Sequence, residues 1–385
     1  MAEYMKGINP AIIKWARERS GYTHEEVADS LNKDTETISD WESGSSTPTY
    51  AQLEKLADKC KRPVALFFFP EVPEEPDLVN QLAMRSSEIE KLTPNIRLLL
   101  RHAAARQISL MELNMGVNPV ETRIFRDLHA QLDDSVTALA HQAREYLEVS
   151  VEAQASWKSS TEALGFWRNR IEEKGIFVFK DAFHDDFVDG FSLVHDQFPV
   201  IYLNNSRRHV RQIFSLFHEL AHLLLRRNGI TRGVKIGGEG IERFCNRFAA
   251  EFLVPSSDFE TRLDFSDYDG TAIWELARHY KVSRPVILLK LIDQQIFEPD
   301  DYERMTKKWK EAHESNLEKA AESKNLGGGD YYNTRAVYLG YRFMELAFSR
   351  YHQGACSIEE LAEHLNVKVK NLPGLEERLL RKTTS

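Results

Sequence analysis

Cysteine is scarce in this chain. Only Cys60, Cys245 and Cys356 occur among 385 residues, widely spaced and with no CxxC pair. That excludes a disulfide framework and a cysteine-built zinc ribbon, and it points to a reduced compartment. Long apolar runs are missing as well. The densest stretches, Val64–Phe69 and Leu220–Leu225, fall far short of the roughly 20 residues that a membrane-spanning helix needs. The opening Met1-Ala2-Glu3-Tyr4-Met5-Lys6 lacks the charged-then-apolar layout of a secretory signal. Nor is there a surplus of positive charge. The net charge of −9 argues against non-specific binding of nucleic acid or anionic membrane by the whole surface, and leaves room only for a local basic patch. A cytoplasmic chain without a membrane partner is expected.

What is present is an ordinary globular composition, 42% hydrophobic and 10% aromatic, in a chain long enough for two or three domains. The first seventy residues read as a compact helical unit. Asn9-Pro10 opens a helix carrying Ile12, Ile13, Trp15 and Ala16, and Ser20-Gly21 closes it. Thr23 with Glu26 has the spacing of a capping box for a second helix bearing Val27, Ala28 and Leu31. A third segment runs from Asp34 to Glu42 with Ile38 and Trp41 one turn apart, and Tyr50–Cys60 forms a fourth helix. This succession, from about Asn9 to Phe69, resembles the helix-turn-helix domain of Xre/Cro-type repressors. In such domains the third helix enters the major groove, where basic and amide side chains read base edges. Here Lys33–Gly44 carries Asp34, Glu36, Asp40 and Glu42 against a single lysine, and carboxylates facing phosphates are repelled. DNA is therefore a weakly supported partner. The alternative is a domain kept for protein contacts or dimerisation, so a homodimer is allowed.

Glu71–Asp77 is rich in proline and acid and reads as the start of a linker over residues 71–93. Residues 94–174 show helical periodicity, with Arg97, Arg101 and Arg106 on what reads as a solvated or salt-bridged face. After Gly175 the texture turns to β. Ile176–Phe179, Gly190–Val194 and Pro199–Leu203 are three short apolar runs separated by turns. The expected fold class is mostly α with a small β-sheet (α+β).

The next stretch, Phe214–Leu225, has the composition of a buried helix, yet it contains His218-Glu219-Leu220-Ala221-His222. Residues four apart share a helix face, so two imidazoles can reach one small cation, as zinc requires. Glu219 is then placed to act as general base on a water at that cation. A catalytic zinc usually takes three protein ligands. On spacing alone Glu239, Glu242 and Glu251 are all open as the third. Glu242 is the best placed, because it starts a helix one turn before Asn246, whose amide could steady a ligand from behind.

Ile201–Asn204, the helix with His218-Glu219-Leu220-Ala221-His222, and Glu242…Asn246-Arg247-Phe248-Ala249-Ala250…Pro255 together resemble the ImmA/IrrE family of metallopeptidases, whose members often carry an Xre-type domain in front. The resemblance covers about Gly175–Pro255. It implies that His218, His222 and Glu242 bind Zn2+ and that Glu219 is the catalytic base. It also implies an endopeptidase that cuts a transcriptional repressor or other regulatory protein in phage, mobile-element or stress control. Tyr202, His209 and Tyr268 remain open as oxyanion stabilisers. The rival class is a non-enzymatic helix-turn-helix regulator or antitoxin-like sensor whose zinc site is structural or vestigial.

The peptidase core is expected over residues 175–300. A C-terminal helical domain of unknown role is expected over 301–385. Two later stretches, Ile273–Ile287 and Ser357–Val367, echo the apolar pattern of the second N-terminal helix. In the first of them Arg278, Lys281 and Arg284 make a better basic surface than Lys33–Gly44.

Overall fold

The computed structural model describes residues 7–82, 92–231, 240–263, 270–321 and 330–383. It is mostly helical with one four-stranded sheet. The contacts divide the chain into two units, Met1–His102 and Ala103–Ser385, and the division falls within the helix Pro94–Leu113.

The first unit contains helices α1 (Pro10–Ser20), α2 (His24–Leu31), α3 (Thr35–Ser43) and α4 (Tyr50–Cys60), then a 3-10 turn at Val64–Phe68. Each boundary has a local chemical cause. Asn9 caps α1 with Pro10 at its first position, and Gly21 ends it at φ 79°. Thr23 and Glu26 form a capping box on α2, Asp34 caps α3, and Thr49 with Gln52 forms a second box on α4. Ile12, Ile13, Val27, Ile38, Trp41, Leu53, Leu56 and Phe67 fill the core.

Two of the four acids counted against DNA contact in Lys33–Gly44 have structural duties. Asp34 is spent on its cap, and Glu42 is clamped by Arg17 at 2.6 and 2.9 Å and by His24 at 3.1 Å. What α3 presents outward is Glu36, Ser39 and a half-buried Asp40, with no cation. The stretch expected as a free linker is also partly tied down. Arg19 binds the carbonyls of Glu75 and Pro76 and pairs with Asp77, and Arg62 pairs with Glu75.

In the second unit the strands are β1 (Phe177–Asp181), β2 (Gly190–Leu193), β3 (Val200–Asn204) and β4 (Gly229–Thr231), in spatial order β1-β3-β2-β4. β1 and β3 are parallel, and β2 runs antiparallel to both β3 and β4. Three of these strands are legible in the sequence. β4 is too short to show a period. One face of the sheet is covered by the helix His209–Leu224, in which every residue from Gln212 to Leu224 is buried. That helix is locked to Ser160–Glu173 and Ile241–Leu253 through Trp167, Phe217 and Phe252, whose ring centroids lie 4.0–5.3 Å apart.

The other face is covered by the C-terminal helices. Phe343 packs edge-on against Phe179, Arg106 donates to the carbonyls of His364 and Leu365, and Arg350 donates to that of Leu113. Ala103–Ser385 is accordingly one compact unit, in which Phe179, Phe191 and Tyr202 are buried. Arg106 is buried and hydrogen-bonded, not solvated. Lys281 is likewise drawn inward, to the carbonyls of Ala155, Arg278 and His279, so it adds little to a basic surface.

The Arg17–Glu42 pair is almost fully buried, at 9% and 7% side-chain exposure. Burial alone would raise the Glu42 carboxyl, but the Arg17 guanidinium and His24 outweigh it and hold it below its ordinary 4.5. A depressed carboxyl stabilises the fold above its unfolded value, and that contribution is lost as pH falls through the folded value. Arg17→Ala, which strands the carboxylate, should therefore destabilise the first unit by about 3 kcal/mol near neutral pH. The difference from wild type should shrink as the pH drops below 4.5. Amide exchange of α1–α4 in the full chain, followed against pH, checks both expectations.

Candidate metal centre

His218 and His222 sit one turn apart on the helix His209–Leu224 and turn their Nε2 atoms toward each other at 3.2 Å. The helix Ile241–Leu253 brings Glu242 across from its first turn. One carboxylate oxygen lies 3.3 Å from His218 Nε2 and the other 3.2 Å from His222 Nε2. The imidazoles are buried, while the Glu242 side chain is 39% exposed, so the centre opens on the glutamate side. Burial by itself would raise the Glu242 carboxyl. The hydrogen bonds and charges of the two histidines reverse that and push it far below the usual carboxylate range. For His218, burial opposes protonation, but Glu242 at hydrogen-bond distance raises its pKa. Two imidazoles and a carboxylate thus converge on one point that favours positive charge.

Donor atoms about 2.0–2.1 Å from a tetrahedral zinc lie about 3.3–3.4 Å from one another. The two imidazole nitrogens, 3.2 Å apart, and the approach of one Glu242 oxygen to each, at 3.3 and 3.2 Å, are close to that spacing. The other histidine nitrogens differ. His218 Nδ1 is 3.0 Å from Asn246 Oδ1, the kind of contact that orients a ligating imidazole. His222 Nδ1 is buried with no hydrogen-bond partner among the described residues. Cys245, one turn beyond Glu242, has its sulfur within 4.8 Å of the histidine donors and went unremarked in the sequence because it belongs to no cysteine motif. Burial, with Glu242 and Glu219 nearby, pushes its thiol up. Glu242 and Cys245 are therefore both within reach of the two imidazoles.

Residues 171–291 match the peptidase family M78 model, described as an IrrE N-terminal-like domain, and residues 13–67 match a helix-turn-helix model. The chain carries an IrrE-like domain behind a helix-turn-helix. No curated protein matches it. The IrrE-like match spans the whole sheet and both helices of the centre, and the family is generally metal-dependent.

Within the IrrE-like domain, several sequence expectations are redirected. Tyr202 does not face the centre. On β3 it stacks against Phe191 at 5.0 Å, on the face opposite Ser192 and Ile201, because strand side chains alternate. His209 starts the helix His209–Leu224, about 13 Å along its axis from His218, and is bonded to Thr161. Neither can stabilise an oxyanion at this centre. Tyr268 and Glu239 lie outside the described residues. Glu251 is engaged elsewhere, by Lys290 and Ser256, at the far end of its helix.

Glu219 is fully buried beside His218, and Gly229 of β4 lies directly against it. A Cβ at Gly229 would stand 2.4 Å from the His222 ring and 2.6 Å from Glu219 Oε2. Gly229→Ala should consequently displace the histidine or the carboxylate at a cost of about 1–3 kcal/mol. Bound metal per chain, measured beside the melting temperature, should fall far more than overall stability.

Proposed function

We propose that this chain is a zinc-dependent endopeptidase that cuts a regulatory protein, a transcriptional repressor being the first candidate. The observation that carries this reading is the convergence of His218 Nε2 and His222 Nε2, 3.2 Å apart, on the Glu242 carboxylate, one oxygen 3.3 Å from His218 and the other 3.2 Å from His222, with Glu219 next to His218 in the chain. His218, His222 and Glu242 would hold the ion, which when bound would polarise the scissile carbonyl and acidify water. Asn246 fixes the His218 ring so that Nε2 points at the shared position. The Glu219 carboxylate takes a proton from the attacking water as its oxygen bonds to the carbonyl carbon. It then returns the proton to the amine as the C–N bond breaks. β4 is an edge strand, and among the described residues nothing pairs with its outer side, so an extended peptide can add to it beside Glu219. The N-terminal helix-turn-helix supports a regulatory target, since its acidic third helix suits a protein contact better than a phosphate backbone.

Metal analysis and cleavage together test the reading. Glu219→Gln should keep zinc and slow cutting of a repressor encoded beside this gene by about 100- to 10,000-fold. His218→Ala and Glu242→Ala should each lose zinc. Unchanged zinc in both would dismiss the assigned centre. Retained cutting by Glu219→Gln would dismiss its base.

A further inference from the structure

The Glu219 carboxylate does not hang free in the centre. Ser192 Oγ donates to its Oε2 at 2.6 Å, and Thr231 Oγ1 donates to its Oε1. All three side chains are 0% exposed. The two hydroxyls come from neighbouring antiparallel strands, with Ser192 opposite Gly229 and Gly190 opposite Thr231. Strand alternation therefore puts Gly190, Ser192, Gly229 and Thr231 on the one face that meets the metal helix. Each is small. The missing side chain of Gly229 leaves the room that Glu219 and His222 occupy.

We infer that Ser192 and Thr231 are positioning residues for Glu219, holding its carboxylate by one neutral donor on each oxygen in the orientation that hydrolysis needs. The inference rests on the peptidase reading above and adds to it residues that no motif marks. A carboxylate has about four lone-pair sites, so one hydroxyl on each oxygen fixes the plane of the group and leaves a site on each for water and the leaving amine. Neutral donors accomplish this without the ion pair that a lysine or arginine would form, which would quench the base. Thr231 belongs to β4, so the orientation of the base depends on the same edge strand that can receive a peptide.

A hydroxamate reports this orientation without any substrate, because its hydroxyl hydrogen-bonds to a correctly placed carboxylate while its oxygens bind zinc. The experiment measures bound zinc, melting temperature and acetohydroxamic acid affinity by calorimetry, using the full-length protein. Ser192→Ala and Thr231→Val should keep one zinc per chain and bind the hydroxamate about 10-fold more weakly, as loss of an orienting partner usually does. Glu219→Gln should lose at least as much affinity, and Thr231→Ser, which keeps the hydroxyl, should bind like wild type. If wild type and both truncations bind zinc and hydroxamate equally well, the peptidase reading stands and the positioning role is overturned. If a truncation loses zinc together with hydroxamate, the hydroxyl is structural, and the inference also fails. A wild-type protein that binds no zinc refutes the peptidase reading itself, before any substitution is made.

Discussion

Placing Glu219, His218 and His222 in a buried helix costs several kcal/mol for each charged or polar group left unsatisfied, and much of the second unit answers that cost. Asn246 from the following helix meets His218, and Glu242 lies against both imidazoles. Hydroxyls of two strands meet Glu219. The helix can come close enough for these contacts because β2 and β4 carry glycine, serine and threonine on the face below it, while Ile201 and Leu203 of the neighbouring β3 keep the branched apolar residues usual in a sheet core. Close approach and polar satisfaction are the same constraint seen from two sides.

That constraint also shapes the surroundings. The helix His209–Leu224 is held against Ile241–Leu253 by the Trp167, Phe217 and Phe252 rings through edge and stacked contacts. The last carbonyls of Ile241–Leu253 would otherwise be orphaned in the interior. Arg144 and Gln154 donate to the carbonyls of Phe252 and Leu253, which anchors the end of the helix that Glu242 begins. On the far side of the sheet, Phe179, Phe191 and Tyr202 present an apolar face that the C-terminal helices cover together with Arg106 of the helix Pro94–Leu113. The second unit is accordingly larger than the IrrE-like match.

The helix-turn-helix unit is governed by its own polar link. A count of acids in its third helix exaggerates what a partner would meet, since Glu42 faces inward to Arg17 and Asp34 caps the helix. What remains outward is mildly acidic, with Lys33, exposed just before the helix, as its one nearby ammonium in Lys33–Gly44. Charge alone could not separate these roles, because a carboxylate in a cap, in a buried pair and on a surface are the same letter.

The four N-terminal helices, the Thr23–Glu26 capping box and the three longer strands were legible because each depends on residues close together in the chain. A capping box needs a spacing of three, and a buried strand shows as a short apolar run between turns. For the same reason the helical alignment of His218 and His222 was readable, their separation being one turn. Other features were decided only by the tertiary structure. The sequence left three glutamates open as partners of the histidines, and packing brought Glu242 to them while turning Glu251 to Lys290. Tyr202 and His209 looked equally eligible for the site until the register of β3 and the length of the metal helix directed them elsewhere. Ser192, Gly229 and Thr231 carried no signal, for a serine or glycine in a short strand acquires meaning only from what crosses above it. The spacing of His218-Glu219-Leu220-Ala221-His222 thus determined by itself that the two histidines share one helix face. Long-range packing decided what stands opposite that face, because those contacts join residues whose separation in the chain has no fixed period.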